Sequence, residues 1–192
     1  MFEPERFRSS CVVWDGGARR GKDWNAFVDR NADSEILTED MHAQCVALGQ
    51  AARTDPQAVK YLSGGKGEVT VAWQHAVPLV AGLEGYSFEC KGRLDFVANC
   101  GALVDLKTTK DASPSGFGRE CARYEYHAQA AFYRDGYRSA TGRELPYVLV
   151  AVEVAKPHVV QVYRVPDEIL ALGRERYRTL LDRLNACRRE SD

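Results

Sequence analysis

Residues 146–155 form an almost unbroken apolar run, with Tyr147, Val148, Leu149, Val150, Val152 and Val154 crowded together. A strand with one wet face alternates polar and apolar side chains. A run that is apolar at nearly every position belongs to a strand covered on both faces, inside a sheet. The patterns around it supply the layers. Helical spacing appears over 22–30 (Trp24, Phe27, Val28) and again from Thr38 to about residue 53 (Met41, Cys45, Leu48, Ala52). Thr38 is a good N-cap, with Glu39 and Asp40 in the first turn. Asp55-Pro56 opens a short helix that ends at Ser63-Gly64-Gly65. The period then becomes that of strands over 68–73, 86–98 and 102–109. Ser113-Pro114 opens one long helix to about residue 141, with Gly116, Gly118 and Gly136 as its weak spots. Residues 159–165 are the hairpin partner of the apolar strand. A last helix from Pro166-Asp167 is expected to turn Ile169, Leu172, Tyr177, Leu180, Leu181 and Leu184 inward. The order α-α-β-β-β-α-β-β-α, with no repeat or linker, predicts one α/β domain over residues 1–192. Its architecture is three-layer, a mixed central β-sheet flanked by helices.

The bulk composition narrows the function little. A net charge of −1 over 192 residues gives no global basic field, so any nucleic-acid contact must come from a local patch or an oligomeric channel. No apolar run is long enough to cross a bilayer and the N-terminus has no signal-peptide pattern, so the expected location is cytoplasmic, with no membrane partner. The six cysteines contain no C-x-x-C pair and are read as small buried thiols in a reducing compartment.

The chemistry concentrates in one hairpin. Asp105 and Lys107 project to one side of their strand and Leu106 to the other. Asn99-Cys100-Gly101 makes a three-residue loop with glycine where positive φ is needed. A loop centred on Cys100 sets Asp95 directly opposite Asp105. Like charges facing each other across a hairpin are destabilising unless a cation lies between them. A salt-bridge ladder on the surface is the plainer reading; a divalent metal site is the sharper one. Hard oxygen ligands in small number suit Mg²⁺, with Mn²⁺ able to substitute.

Three strings in order, Glu68-Val69-Thr70-Val71-Ala72-Trp73, Lys91-Gly92-Arg93-Leu94-Asp95 and Val104-Asp105-Leu106-Lys107-Thr108-Thr109, resemble the PD-(D/E)XK nuclease superfamily. With Tyr126-His127-Ala128-Gln129-Ala130-Ala131-Phe132-Tyr133 added, the chain resembles the exodeoxyribonuclease VIII (RecE-type) nuclease domain. The resemblance implies that Asp95 and Asp105 bind metal, that Lys107 is the active-site lysine, and that Gln129 and Tyr133 form the Q-x-x-x-Y element on the next helix. It also implies that Glu68 lies near the metals and shares a second ion. The implied activity is Mg²⁺-dependent 5′-to-3′ digestion of double-stranded DNA from its ends, in recombination or repair. Implied partners are duplex DNA ends, a single-strand annealing protein, and further copies of the chain in a homo-oligomeric ring. Relatives carry a histidine on a helix just before a stretch like residues 3–7, and this chain is expected to lack that helix. Two alternatives stand beside this reading: an endonuclease using the same acids, and a catalytically reduced DNA-binding or assembly module.

Overall fold

The computed structural model of the chain describes residues 4–77 and 85–190. Of the stretch 3–7, Glu3 lies outside the described residues and the rest falls in a short first helix, α1 (Pro4–Ser10). A parallel pair follows, β1 (Cys11–Trp14) and β2 (Glu35–Thr38), joined through α2 (Lys22–Arg30). Sequence patterning does not reveal these two strands. Each is four residues long, and parallel pairing leaves no hairpin signal between them. Trp14 anchors the unit, its ring 5.4 Å from that of Trp24 and 4.9 Å from that of Phe27.

Capping chemistry sets the next helices where the sequence places them. Thr38 Oγ1 accepts a hydrogen bond from the Met41 amide at 3.1 Å and starts α3 (Glu39–Thr54). Asp55 Oδ1 accepts from the amides of Gln57 and Ala58, both at 2.9 Å, ahead of the single turn α4 (Val59–Leu62). A five-stranded sheet then runs in the order β3 (Gly65–Val77), β4 (Tyr86–Ala98), β5 (Ala102–Thr109), β6 (Tyr147–Glu153) and β7 (Val160–Arg164). Only β5 and β6 pair in parallel, so the sheet is mixed. The apolar run is β6, inside the sheet between β5 and β7. Tyr147, Leu149 and Ala151 enter one core while Val148, Val150 and Val152 enter the other, which is why no charged residue appears before Glu153 at its end. The first core lies under α6 and α7, and the second under α3 and α4.

The long helix expected over 114–141 is two helices, α5 (Pro114–Arg123) and α6 (Tyr126–Thr141). The break falls at none of the glycines. It falls at Glu125, which takes a left-handed conformation with φ 55° and is held by Arg176, whose Nε lies 2.7 Å from Glu125 Oε1. Gly136 instead serves close packing, since a Cβ there would sit 2.6 Å from the Trp73 ring. Trp73 is core-buried and also packs on Phe132, so the ring has little room to yield. Gly136→Ala is therefore expected to destabilise the fold by about 1–3 kcal/mol. In urea this would lower the unfolding midpoint with little change in slope; an unmoved midpoint would show that the indole can shift.

The last helix, α7 (Asp167–Arg189), is amphipathic as expected but turned. Leu170, Gly173 and Tyr177 face inward with Leu181 half-buried, while Ile169, Leu172, Leu180 and Leu184 are exposed. Gly173 explains the phase: a Cβ on it would lie 2.1 Å from the His127 carbonyl oxygen, so only a glycine face can approach α6 this closely. Asp135 of α6 locks the pair, accepting from Arg174 at 2.7 and 2.8 Å and from the Tyr177 hydroxyl at 3.0 Å. The cysteines are free thiols, but only Cys90 is fully buried; Cys100 and Cys187 are exposed.

Candidate active site

The hairpin register is the expected one. Ala98 faces Ala102, Val97 faces Leu103 and Phe96 faces Val104, and Gly101 supplies φ 83°. Beyond Phe96 the two strands part, so Asp95 and Asp105 meet across an opened seam and not a closed ladder. Two observations locate the cause. Leu94 joins the first core and Phe96 the second, although residues two apart in a flat strand share a face, so β4 turns over at Asp95. In the register of β3 with β4 the position opposite Asp95 is Glu68, a non-glycine residue at φ 51°. Such a kink breaks strand parity on both sides at once. The Leu106 amide, which β4 no longer satisfies, donates to Asp95 Oδ2 at 3.0 Å. One carboxylate oxygen thus replaces a ladder hydrogen bond and fixes the acid beside β5.

Asp105 and Lys107 project to the α6 side, as strand alternation requires. Lys107 Nζ stands 2.6 Å from Asp105 Oδ2 and donates to Gln129 Oε1 at 2.9 Å. Its ammonium also lies 4.4 Å from the centroid of the Tyr126 ring. Tyr133, one turn beyond Gln129, lays its ring edge over β4 at Gly92, where a Cβ would come within 3.0 Å. The glycine of the Gly92-Arg93-Leu94-Asp95 string is the gap that admits this tyrosine. The structure therefore gathers Asp95, Asp105, Lys107, Gln129 and Tyr133 along one seam.

Glu68 is engaged elsewhere. Its Oε2 lies 2.8 Å from Arg93 Nε, and no group of three acidic, histidine or cysteine ligands is assembled among the described residues. Of the arginines that recur along α5 and α6 (Arg119, Arg123, Arg134 and Arg138), two are engaged in ion pairs. Arg134 pairs with Glu144 at 2.8 Å and Arg138 pairs with it at 3.1 Å, leaving Arg119 and Arg123 exposed. Sequence reasoning overlooked Tyr147. Through its pairing opposite Leu103 it shares the face of Asp105, with its side chain buried. Burial above all, then the Asp105 and Asp95 charges, raise its phenol well above the usual value. The one advance signal was that this tyrosine opens a strand whose next five residues are aliphatic.

The electrostatics fit a divalent cation. Asp105 is 1% exposed, and its Oδ2 accepts no hydrogen bond of normal geometry; the lysine meets it as a charge. Its pKa is raised to about 6, first by burial and then by repulsion from Asp95, with Lys107 opposing. Two facing carboxylates against one ammonium leave a buried hard oxygen short of positive charge, which is the donor set Mg²⁺ or Mn²⁺ takes.

A mixed sheet flanked by helices, carrying Asp and Asp-x-Lys at an opened hairpin, is the fold of the PD-(D/E)XK nucleases. The chain belongs to the family described as a PDDEXK-like domain of unknown function (DUF3799), which matches residues 2–192. Among solved structures, the crystal structure of a candidate exonuclease from Eubacterium rectale superposes with a TM-score of 0.58 at 18% identity. The match covers 83% of this chain and 59% of that one, so the present chain spans less than two thirds of its length. A looser match, to SSO0001, has a TM-score of 0.37 at 14% identity over 73% of this chain and 59% of the other, too distant to bear on the fold. No curated protein matches the sequence. Nucleases of the PDDEXK type are in general divalent-metal dependent.

Proposed function

We propose that the chain is a Mg²⁺-dependent deoxyribonuclease that digests double-stranded DNA from its ends, 5′ to 3′. The observation that carries this reading is the buried Asp105 carboxyl facing Asp95, with Lys107 held against it by Gln129. Asp95 and Asp105 are the residues that would hold the ion. The chemistry a bound divalent cation supplies is Lewis acidity toward a phosphodiester oxygen and the attacking water. Lys107 contributes a fixed positive charge where negative charge grows on the phosphoryl oxygens. Gln129 keeps that ammonium aimed, and Tyr133 closes the wall above Gly92 against which a strand end would rest. Asp95, tied to the Leu106 amide, cannot swing away when its partner acid is neutralised.

On this reading the chain's partners are duplex ends, a single-strand annealing protein, and other copies of itself in a ring. The exposed Ile169, Leu172, Leu180 and Leu184 on α7 support self-association. Linear and covalently closed duplex DNA, each incubated with Mg²⁺, test the proposal. An exonuclease releases acid-soluble nucleotides from the linear form and leaves the circle intact. Loss of the circle would replace it with an endonuclease; no release from either would remove the nuclease reading. The position of Glu68, paired with Arg93, favours one rival, a reduced DNA-binding module. Calorimetry separates the two, because a reduced site takes up neither Mg²⁺ nor Mn²⁺.

A further inference from the structure

Lys107 is the inner end of a stack that reaches the surface. Its ammonium lies over the Tyr126 ring, and the Tyr126 ring stacks on that of Tyr124 at 5.7 Å with an interplanar angle of 24°. The Arg123 guanidinium carbon lies 5.3 Å from the Tyr124 centroid. Residues two apart on a continuous helix would point their rings apart. These are made near-parallel because the residue between them, Glu125, is left-handed and pinned to Arg176. Side chains Trp73 and Tyr137, which also suit base stacking in principle, are buried in the core, whereas Tyr124 is 54% exposed. Beyond its contacts with Tyr126 and Arg123, more than half of the Tyr124 surface faces solvent.

We propose that Tyr124, flanked by Arg123, is a stacking platform for an unpaired nucleobase of the DNA strand engaged at the Lys107 site. This rests on the nuclease reading for its choice of ligand. Every base has a π-face, so a tyrosine at the mouth of a cleavage site grips a strand without regard to sequence. An arginine on a flexible stem can yield the ring face to the base and meet its phosphate. The ladder also fixes register, because the base on Tyr124 is separated from the Lys107 ammonium by two ring layers. The strand is then presented at a constant distance from the catalytic seam.

The test uses the full chain in chelator, so that nothing is cleaved, with single-stranded oligodeoxynucleotides carrying one 2-aminopurine at successive positions. Fluorescence is expected to be quenched at one position only. Tyr124→Ala should abolish that quenching and weaken binding about tenfold, while Tyr124→Phe keeps both. An abasic site at the quenched position should weaken the wild type by the same factor and leave Tyr124→Ala unaffected. Unchanged affinity in Tyr124→Ala, or quenching that survives it, would overturn the platform. Thermal unfolding of the variant controls for folding, which an exposed residue should not disturb. Cleavage of linear duplex by the wild-type chain is scored in parallel. Tyr124-dependent quenching without cleavage leaves the platform standing and removes the nuclease; cleavage with Tyr124-independent binding does the reverse.

Discussion

Lys107→Ala is expected to slow nucleotide release from linear duplex DNA by about 10²- to 10³-fold at neutral pH, the usual cost of deleting one preorganised charge from a transition state. The side chain is well placed for such an effect. It is only 15% exposed, so little water screens it, and Asp105 and Gln129 hold it from two sides. A second signature goes with the rate. Lys107 opposes the upward shift of the Asp105 pKa, so its removal moves that carboxyl above its present value of about 6. The acid limb of the pH–rate profile should then shift to higher pH in the variant. Lys107→Arg keeps the charge but spreads it over a planar fork, and should recover the limb more fully than the rate. Undiminished release by the alanine variant would show that the seam is not the catalytic centre.

Asp105→Asn should abolish cleavage and most Mg²⁺ uptake, yet make the metal-free protein more stable. The folded state binds the Asp105 proton more tightly than the unfolded chain does, since its pKa rises from 3.8 to about 6. The stability this carboxyl allows is full below about pH 4, falls as pH rises through 6, and at neutral pH the ionised acid is a net cost. Two units correspond to about 3 kcal/mol, reduced in the variant because Lys107 loses its anionic partner. A gain of roughly 2 kcal/mol in urea unfolding at pH 7.5 is expected, shrinking toward zero at pH 4. Mg²⁺ should raise the melting temperature of the wild type and not of the variant. A variant less stable at both pH values would mean that the carboxylate serves the fold and not an ion.

The hairpin carrying Asp95, Asp105 and Lys107 was legible because a short loop with one obligatory glycine fixes register, and register fixes which side chains meet. Gln129 and Tyr133 were named by the resemblance to known nucleases, and helical spacing added only that they share one face. Glu68 was not: strand alternation assumes a regular backbone, and a left-handed glutamate breaks it without any mark in the sequence. The same holds for Glu125, where a helix expected to continue divides at a residue of ordinary helix propensity. In α7 the apolar residues exceed what one face needs, and the choice among faces was made by Gly173 and its approach to α6. The strands β1 and β2 are too short and too far apart in the chain to announce each other. What patterning misses is where a tertiary contact overrides a local rule.

The seam between β4 and β5 ties assembly of the sheet to competence of the site. Because the Asp95 carboxylate takes the place of a main-chain acceptor for Leu106, a substitution there removes one of the two proposed ligands and at the same time invites the hairpin to zip further. Zipping would carry the neighbouring side chains of β4 to the opposite face and silence the centre without touching Asp105 or Lys107. A protein built this way can be switched off by over-perfecting its own sheet, so its aspartate guards against too much regularity as much as it contributes charge.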